Sequence, residues 1–423
     1  MENQNPRRSQ SLNSDIISTL PLNIIEDILT RMPIRDALRT SVLSKKWRYT
    51  WRGMPKLVFK DNMVTVSSNH LCRELKKYKL VNAIFHVLML HNGPETLVFD
   101  CSVGELHLES EFSQIRSYLA RGNKVKKLFF LSDNRSYELP VSFFSLQGVE
   151  LVHLDNRSFK LPVSFFSLQG LEVVHLENCS LEPPLTFNRV SSLTSITFDN
   201  VEVSAQMLQQ FLSQCPPLQY LSLNEINELW KSIDSAVPGG NKFTFVDLLP
   251  CIPLIQTLNL NISKYYMKYL YAGGMPHKLS TSLVHLNYLF LNVCLVEQNE
   301  ISSALCIIRS SPVLETMKFL IYDNEELPVQ QTATNFLDLE GYPDLKLDHL
   351  ETLWIEDFSN LPLEMEFVKL IMAKSPVLKK VRIELNFNVS VDEEPKMLRE
   401  LVSNPIPRAS PSAKLTIVRP ETS

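Results

Sequence analysis

The sequence predicts a small all-α module followed by a right-handed α/β solenoid built from repeats. Leu accounts for 65 of the 423 residues, whereas Gly accounts for only 11. The segment 137–158 recurs as 159–180, with 16 of 22 positions identical. A chain this apolar can offset the entropy of ordering by burial, which excludes disordered and collagen-like classes. Parallel strands joined by crossover segments favour the right-handed form.

The amino-terminal module is predicted from short helical segments that follow a polar, disordered tail, residues 1–14. Leu20 and Pro21 open the first helix, because Pro is tolerated in a first turn. Asp36 is expected to cap a second helix, and Ser44 a third helical turn. Some 45 residues are too few to bury all of their apolar side chains. We therefore expect a partner or the next domain to cover them.

Charge is unevenly distributed along the chain. Residues 31–60 hold nine Lys or Arg and one acid, whereas the whole chain carries −4. A basic patch fits an acidic protein surface or nucleic acid. Nucleic-acid binding would call for aromatic stacking platforms or a recognition helix, whereas this short segment is rich in aliphatic residues of the buried type. We therefore predict an acidic protein partner and no nucleic acid. A solvated basic face is the alternative.

Residues 20–51 resemble an F-box, with the pattern LPxxIIxxILxxxPxxxAxRxSxLSKxWRxxW in order. The resemblance implies docking to the small acidic Skp-type adaptor of a Skp-cullin-F-box ubiquitin ligase, and through it to the cullin. A helical cap on the repeats is the alternative. The adaptor-binding residues implied are Leu20, Pro21, Ile24, Ile25, Ile28, Leu29, Pro33, Val42, Leu43 and Trp47.

The duplication has a period of 22, which lies within the range of leucine-rich repeats. From Leu171 the second copy reads LxxLxLxxCxL, with apolar residues at positions one, four and six of each unit. Ten units share this frame, and their fourth positions are residues 128, 152, 174, 196, 221, 258, 289, 317, 353 and 381. Each unit is predicted to be a strand and a return segment. The returns at 204–213, 301–309 and 367–373 are predicted to be helical.

Position nine of the frame forms the turn after each strand. Cys179 and Cys294 occupy it and are expected to hydrogen-bond the turn backbone, whereas Val201 and Ile226 have no side chain able to do so. The sequence therefore predicts looser turns at the second pair.

Positions three, five and seven are predicted to point to the concave face of the solenoid. They place an acidic row beside a pair of histidines, and an aromatic patch farther along. We predict that this face binds a client protein, because exposed aromatic residues commonly anchor interfaces. The alternative is that these outward side chains are simply solvated and the aromatic residues among them are incidental. The candidate residues are His153, Asp155, His175, Glu177, Asp199, Tyr220, Tyr288, Phe290 and Trp354. The two histidines are interpreted as equivalent positions of the duplicated segment rather than as a pair of metal ligands.

Residues 345–423 resemble the FBD domain that follows F-box and repeats in a large plant family. The matching segments include Glu366-Phe367-Val368 and Ser375-Pro376-Val377-Leu378. Physically, they read as a last repeat plus a capping strand, Lys414 to Val418. The predicted architecture is an F-box module followed by a leucine-rich-repeat α/β solenoid with an FBD-like cap. Its predicted domains are a tail (1–14), the F-box (15–60), a helical linker (61–90), repeats (91–344) and an FBD-like cap (345–423).

Catalysis is not predicted, because Walker, GxGxxG, HExxH and GxSxG motifs are absent from the sequence. Seven widely spaced cysteines without a CxxC pair favour reduced thiols and no metal site. We expect no cofactor, no metal, no membrane span, and a soluble cytoplasmic or nuclear location. The predicted function is a non-enzymatic substrate-recognition adaptor of a ubiquitin ligase. The alternatives are a repeat receptor whose client binding needs a small-molecule ligand, and a ligase-independent scaffold.

Overall fold

The computed structural model divides the chain into two compact units, Met1–Asn134 and Arg135–Ser423. The structure describes residues 15–60, 70–93, 97–102, 125–132, 148–161, 170–181, 191–226, 248–262, 278–295, 298–322, 344–403 and 412–420. It also describes six single positions: Met63, Leu146, Phe165, Leu168, Tyr342 and Ser410. For some residues within these ranges only the backbone is described. The predicted disordered tail, residues 1–14, lies outside the described residues.

The first unit begins with four short helices. They are α1 (Ile16–Thr19), α2 (Leu22–Thr30), α3 (Ile34–Arg39) and α4 (Trp47–Thr50), with 3₁₀ turns at Thr40–Val42 and Trp51–Gly53. The helices pack around buried apolar side chains contributed by each of α2, α3 and α4, namely Ile25, Leu29, Ile34, Ala37 and Trp47.

Two predicted helix caps are wrong. Pro33 occupies the cap position of α3, so Asp36 lies in the first turn and pairs with Arg39 at 3.5 Å. The cap position of α4 is Lys46, and the hydroxyl of Ser44 meets no hydrogen-bond partner in the part of the chain that the structure describes. In both cases the helix begins at a different residue from the one assumed, which places the capping oxygen out of reach of the free N–H groups.

Three parallel strands and a long helix complete the first unit. They are β1 (Lys56–Lys60), α5 (His70–Leu90), β2 (Leu97–Ser102) and β3 (Val125–Ser132). Strand β3 contains Leu128, the fourth position of the first predicted repeat. Strand β1 was not predicted, although Leu57 and Phe59 alternate with less buried residues as a half-buried strand requires.

Ten parallel strands form the sheet of the second unit. They are β4 (Leu151–Leu161), β5 (Val173–Leu181), β6 (Ser195–Asp199), β7 (Tyr220–Asn224), β8 (Thr257–Asn261), β9 (Tyr288–Val293), β10 (Thr316–Ile321), β11 (Thr352–Phe358), β12 (Lys380–Leu385) and β13 (Lys414–Val418). Each pairs with the next strand in sequence. This order confirms an α/β solenoid, and β13 has the predicted bounds.

The repeat frame sets the register of the sheet. Position three of each unit pairs with position three of the next, as in Leu151 with Val173 and Ser195 with Tyr220. Positions four and six are buried in every unit from β4 to β12. A shift of one residue would turn these apolar side chains to the other face, so their burial holds the register.

Among its described residues the second unit has four α-helices: α6 (Ala205–Ser213), α7 (Gln298–Arg309), α8 (Pro362–Ala373) and α9 (Glu394–Ser403). The three predicted helices are confirmed, with α7 and α8 beginning three and five residues earlier than predicted. The helix α9 was not predicted. A buried serine that precedes a proline lies just after each of α7 and α8. The hydroxyls of these residues, Ser311 and Ser375, donate to the backbone carbonyls four residues earlier.

An amide ladder at position eight links Asn178, within β5, to Asn200, in the turn after β6. Asn178 and Asn200 both adopt positive φ, at 53° and 50°. The side-chain amide of Asn200 donates to Oδ1 of Asn178 at 2.7 Å, and that of Asn178 donates to Asp155 at 2.8 Å. Cys179 donates to the carbonyl of Glu177 at 2.9 Å, as predicted. The turn at the apolar Val201 is therefore ordered through its neighbour Asn200, which corrects the prediction of a looser turn.

The ladder gives a prediction for Asn178. Replacing it with Ala removes two side-chain hydrogen bonds. It also leaves a side chain at a positive φ without the polar contacts that stabilise asparagine there, so we expect the free energy of unfolding to fall by about 1–3 kcal/mol. Asn178→Gly removes the same hydrogen bonds but tolerates the backbone, and should be less destabilising than Ala. Urea denaturation measures both variants, and equal losses would contradict the role of backbone conformation.

Candidate functional site

The F-box-like module exposes a group of large apolar side chains. Val42 is 86% exposed and Ile16 is 69% exposed. Globular proteins rarely leave such groups open unless something binds them. The group, called here the apolar surface of the module, consists of Ile16, Ile17, Leu22, Ile24, Val42 and Leu43.

Side-chain hydrogen bonds hold the two segments of this surface together. The indole of Trp47 donates to the carbonyl of Ile17 at 3.0 Å, and the ammonium of Lys46 donates to the carbonyl of Leu20 at 2.9 Å. The hydroxyl of Ser18 reaches the carbonyl of Leu43 at 3.5 Å. Residues 16–20 are thereby fixed against residues 43–47, so the apolar side chains of both segments are presented by one small scaffold.

The ten residues predicted to bind the adaptor divide by burial. Ile25, Leu29 and Trp47 are buried within the module. They are available to support a docking surface but not to contact a partner directly. Leu20 and Ile28 are half-buried, and the exposed members are Pro21, Ile24, Pro33, Val42 and Leu43.

Ile16, Ile17 and Leu22 were not among the predicted residues, although they belong to the same exposed group. Their position in the sequence could have identified them as part of the exposed surface. They are large apolar residues beside the Leu20-Pro21 pair, and the helical spacing of the motif leaves no buried position for them.

The basic residues of the module include several beside the apolar surface. Lys45, Lys46 and Arg48 are exposed. Among the described residues, no carboxylate pairs with Lys45 or Arg48, whereas Arg31 lies 3.2 Å from Asp27. The positive charge near Val42 and Leu43 therefore favours an acidic partner.

The outward side chains at positions three, five and seven of β4 to β12, called here the strand surface, hold the predicted client-binding residues.

The structure brings the two histidines together at β4 and β5. Their rings stack with centroids 4.0 Å apart and planes 5° apart. Nε2 of His153 and Nε2 of His175 lie 3.3 and 2.9 Å from Oε1 of Glu177. Burial, and then the neighbouring His153, lower the pKa of His175, against the opposing effect of Glu177.

The predicted acidic row is present in register. Asp155 lies opposite Glu177, and Glu177 lies opposite Asp199. Asp155 accepts a hydrogen bond from Asn178, and Asp199 accepts one from Asn224 at 3.5 Å. Three carboxylates on adjacent strands concentrate negative potential on this part of the strand surface.

The predicted aromatic patch needs correction at Phe290, which is only 7% exposed. The ammonium of Lys318 lies 5.2 Å from the ring of Phe290 and 4.4 Å from that of Trp354, while also pairing with Glu356 at 2.9 Å. The guanidinium of Arg382 lies 4.7 Å from the ring of Trp354. Cations thus flank Trp354, because position five holds Lys318 and Arg382 on the strands to either side.

The tyrosines lie elsewhere on the strand surface. Tyr220 is 37% exposed, whereas Tyr288 is half-buried. Both occupy position three, on strands separated by β8. Burial raises the pKa of Tyr288, so its phenol stays neutral at ordinary pH.

Three family models match parts of the chain. The F-box domain matches residues 17–59, the At1g61320/AtMIF1 LRR domain matches 143–232, and FBD matches 343–383. The F-box/FBD/LRR-repeat protein At1g13570 of Arabidopsis thaliana is 30% identical over 451 residues, covering 96% of this chain and 99% of the relative. The chain belongs to the F-box/FBD/LRR-repeat family. A second Arabidopsis member, At2g04230, is 32% identical over 33% of this chain and 31% of its own length.

Membership of the F-box/FBD/LRR-repeat family implies, in general, a substrate-receptor role in Skp-cullin-F-box ligases and binding to a Skp-type adaptor through the F-box. Members are typically non-catalytic adaptors. An internalin from Listeria monocytogenes is similar at 11% identity and a TM-score of 0.34, covering 97% of this chain and 95% of its own. The fold is assigned from the strand pairing and not from this likeness. Within the described residues, no helix has the length and apolar character needed to span a membrane.

Proposed function

We propose that this protein is a substrate receptor that docks on a Skp-type adaptor through the apolar surface of the module and binds a client on the strand surface. The observation that carries the proposal is the exposure of the apolar residues in the F-box, above all Val42.

Burial of the apolar surface supports docking energetically. Each large aliphatic side chain that passes from water into an interface contributes roughly 1.5–3 kcal/mol, before the costs of association. Six such side chains are exposed here. The basic residues Lys45 and Arg48 add attraction to an acidic partner, which raises the association rate more than the affinity.

The strand surface supports client binding through two regions of different chemistry. The acidic row offers charge to a basic segment of a client. The region around Trp354 offers an aromatic ring between Lys318 and Arg382, which suits a client that supplies carboxylates or further rings. Both regions lie on strands held by the buried ladder, so binding costs little conformational entropy.

Adaptor docking predicts the effect of Val42→Asp. A carboxylate at this position would be buried against an acidic partner, so we expect affinity for a purified Skp-type adaptor to fall at least about tenfold. Replacing Leu20 and Pro21 with Ala should abolish binding, while leaving the repeats folded. Isothermal titration calorimetry measures the affinities, and circular dichroism the folding.

Val391→Asp is the matched control, because Val391 is 72% exposed and lies in the second unit. It should bind the adaptor as the wild type does. Full binding by both Val42→Asp and the Leu20/Pro21 variant would contradict the docking site and favour a ligase-independent scaffold.

Client binding predicts the effect of neutralising the acidic row. The triple change Asp155→Asn, Glu177→Gln and Asp199→Asn preserves side-chain size and removes three charges. We expect the proteins that accumulate around the wild type in proximity labelling under proteasome inhibition to be lost from this variant, with adaptor binding unchanged.

The control carries three equivalent changes at exposed carboxylates away from the strand surface: Glu315→Gln, Asp348→Asn and Asp392→Asn. Its labelled proteins should match those of the wild type. The same accumulating proteins around the triple variant would show that the acidic row does not hold the client.

A further inference from the structure

The histidine pair and Glu177 form a cluster whose donor atoms converge. One ring nitrogen of each imidazole and a carboxylate oxygen of Glu177 all lie within 4.8 Å of one another. We propose that His153, His175 and Glu177 bind a divalent transition-metal ion, Zn²⁺ foremost, between strands β4 and β5. Two imidazoles and one carboxylate are a ligand set that zinc uses in proteins, with its fourth position open.

The separations of the donor atoms fit the edges of a zinc tetrahedron. With bonds of about 2.0–2.1 Å and tetrahedral angles, ligand atoms are roughly 3.3 Å apart. Oε1 of Glu177 lies 3.3 Å from Nε2 of His153 and 2.9 Å from Nε2 of His175. Small shifts of the side chains therefore suffice along these two edges.

The stacking of the rings defines the one larger movement that binding requires. Rings that are parallel within 5° direct their lone pairs side by side rather than at one point. One imidazole must turn about its Cβ–Cγ bond to face the ion. This torsion joins an sp³ and an sp² carbon and has a broad energy profile, so the turn is accessible.

The backbone fixes the cluster where the duplicated segments meet. The 22-residue repeat places His153 and His175 in register on adjacent strands, and the next residue in that row is Thr197. Glu177 lies two residues beyond His175 on the same strand and the same face. A bound ion would thus connect two consecutive repeats through strands that already hold the donors close.

The surroundings favour a cation. Asp155 and Asp199 flank Glu177 in register, and each already accepts a hydrogen bond from an asparagine, Asn178 and Asn224 respectively. These two carboxylates add negative potential without being needed as ligands. The side chains of the cluster are 20–33% exposed, which leaves the fourth position open to water.

The proposed site is tested by titrating Zn²⁺ into the metal-stripped full-length protein, followed by isothermal titration calorimetry. We expect one tight site in the wild type. The double variant His153→Asn and His175→Asn should lose at least about tenfold in affinity at that site. Glu177→Gln, a single change that leaves the histidine stack intact, should weaken it as well.

The matched control is His285→Asn with His349→Asn, since both of these histidines are exposed in the second unit. It should keep the wild-type isotherm. Co²⁺ in place of Zn²⁺ distinguishes the ligands, because a nitrogen and oxygen site gives no thiolate charge-transfer band, whereas a cysteine site does. An unchanged isotherm in the His153/His175 variant, a thiolate band at the tight site, or no zinc uptake by the wild type would overturn the proposal.

Discussion

The buried ladder of apolar side chains is the constraint on which the second unit depends. Positions four and six of each repeat, such as Val174 and Leu176, are removed from water and stack on their equivalents in the next strand. Because side chains alternate along a strand, burial of these two positions fixes which residues point outward. Insertions of different length between strands leave the ladder intact, since they change the return segment and not the register. The strand surface is therefore a consequence of the core.

The amino-terminal module, in contrast, cannot bury all of its large apolar side chains. Its core, formed around Ile25, Leu29 and Trp47, is small, and it leaves large apolar side chains such as Val42 in water. A short chain cannot enclose all of them, so part of its stabilisation must come from a partner. The hydrogen bonds of Lys46 and Trp47 to the backbone of residues 17–20 keep that surface ordered before docking. The two units thus divide the proposed function between docking and recognition.

The sequence predicted the strands from β3 to β13, their order and their outward positions, because a two-residue alternation repeated in one frame leaves few other solutions. It did not predict β1, which precedes the repeat frame. It predicted the burial of individual outward residues less well. Phe290 is covered because Lys318 lies on the next strand and reaches back over it, a contact that depends on rotamers and not on the frame. Likewise, the F-box pattern does not separate Ile24, which is exposed, from the buried Ile25 beside it. The convergence of His153, His175 and Glu177 required both the register and the side-chain geometry.

Docking of the F-box on its adaptor is tested by hydrogen–deuterium exchange of the full-length chain with and without a purified Skp-type adaptor. We expect the adaptor to slow backbone exchange in residues 16–24 and 42–47, while strands β4 to β12 exchange as they do in the free protein. Protection confined to the repeats, with residues 16–24 and 42–47 unchanged, would contradict it.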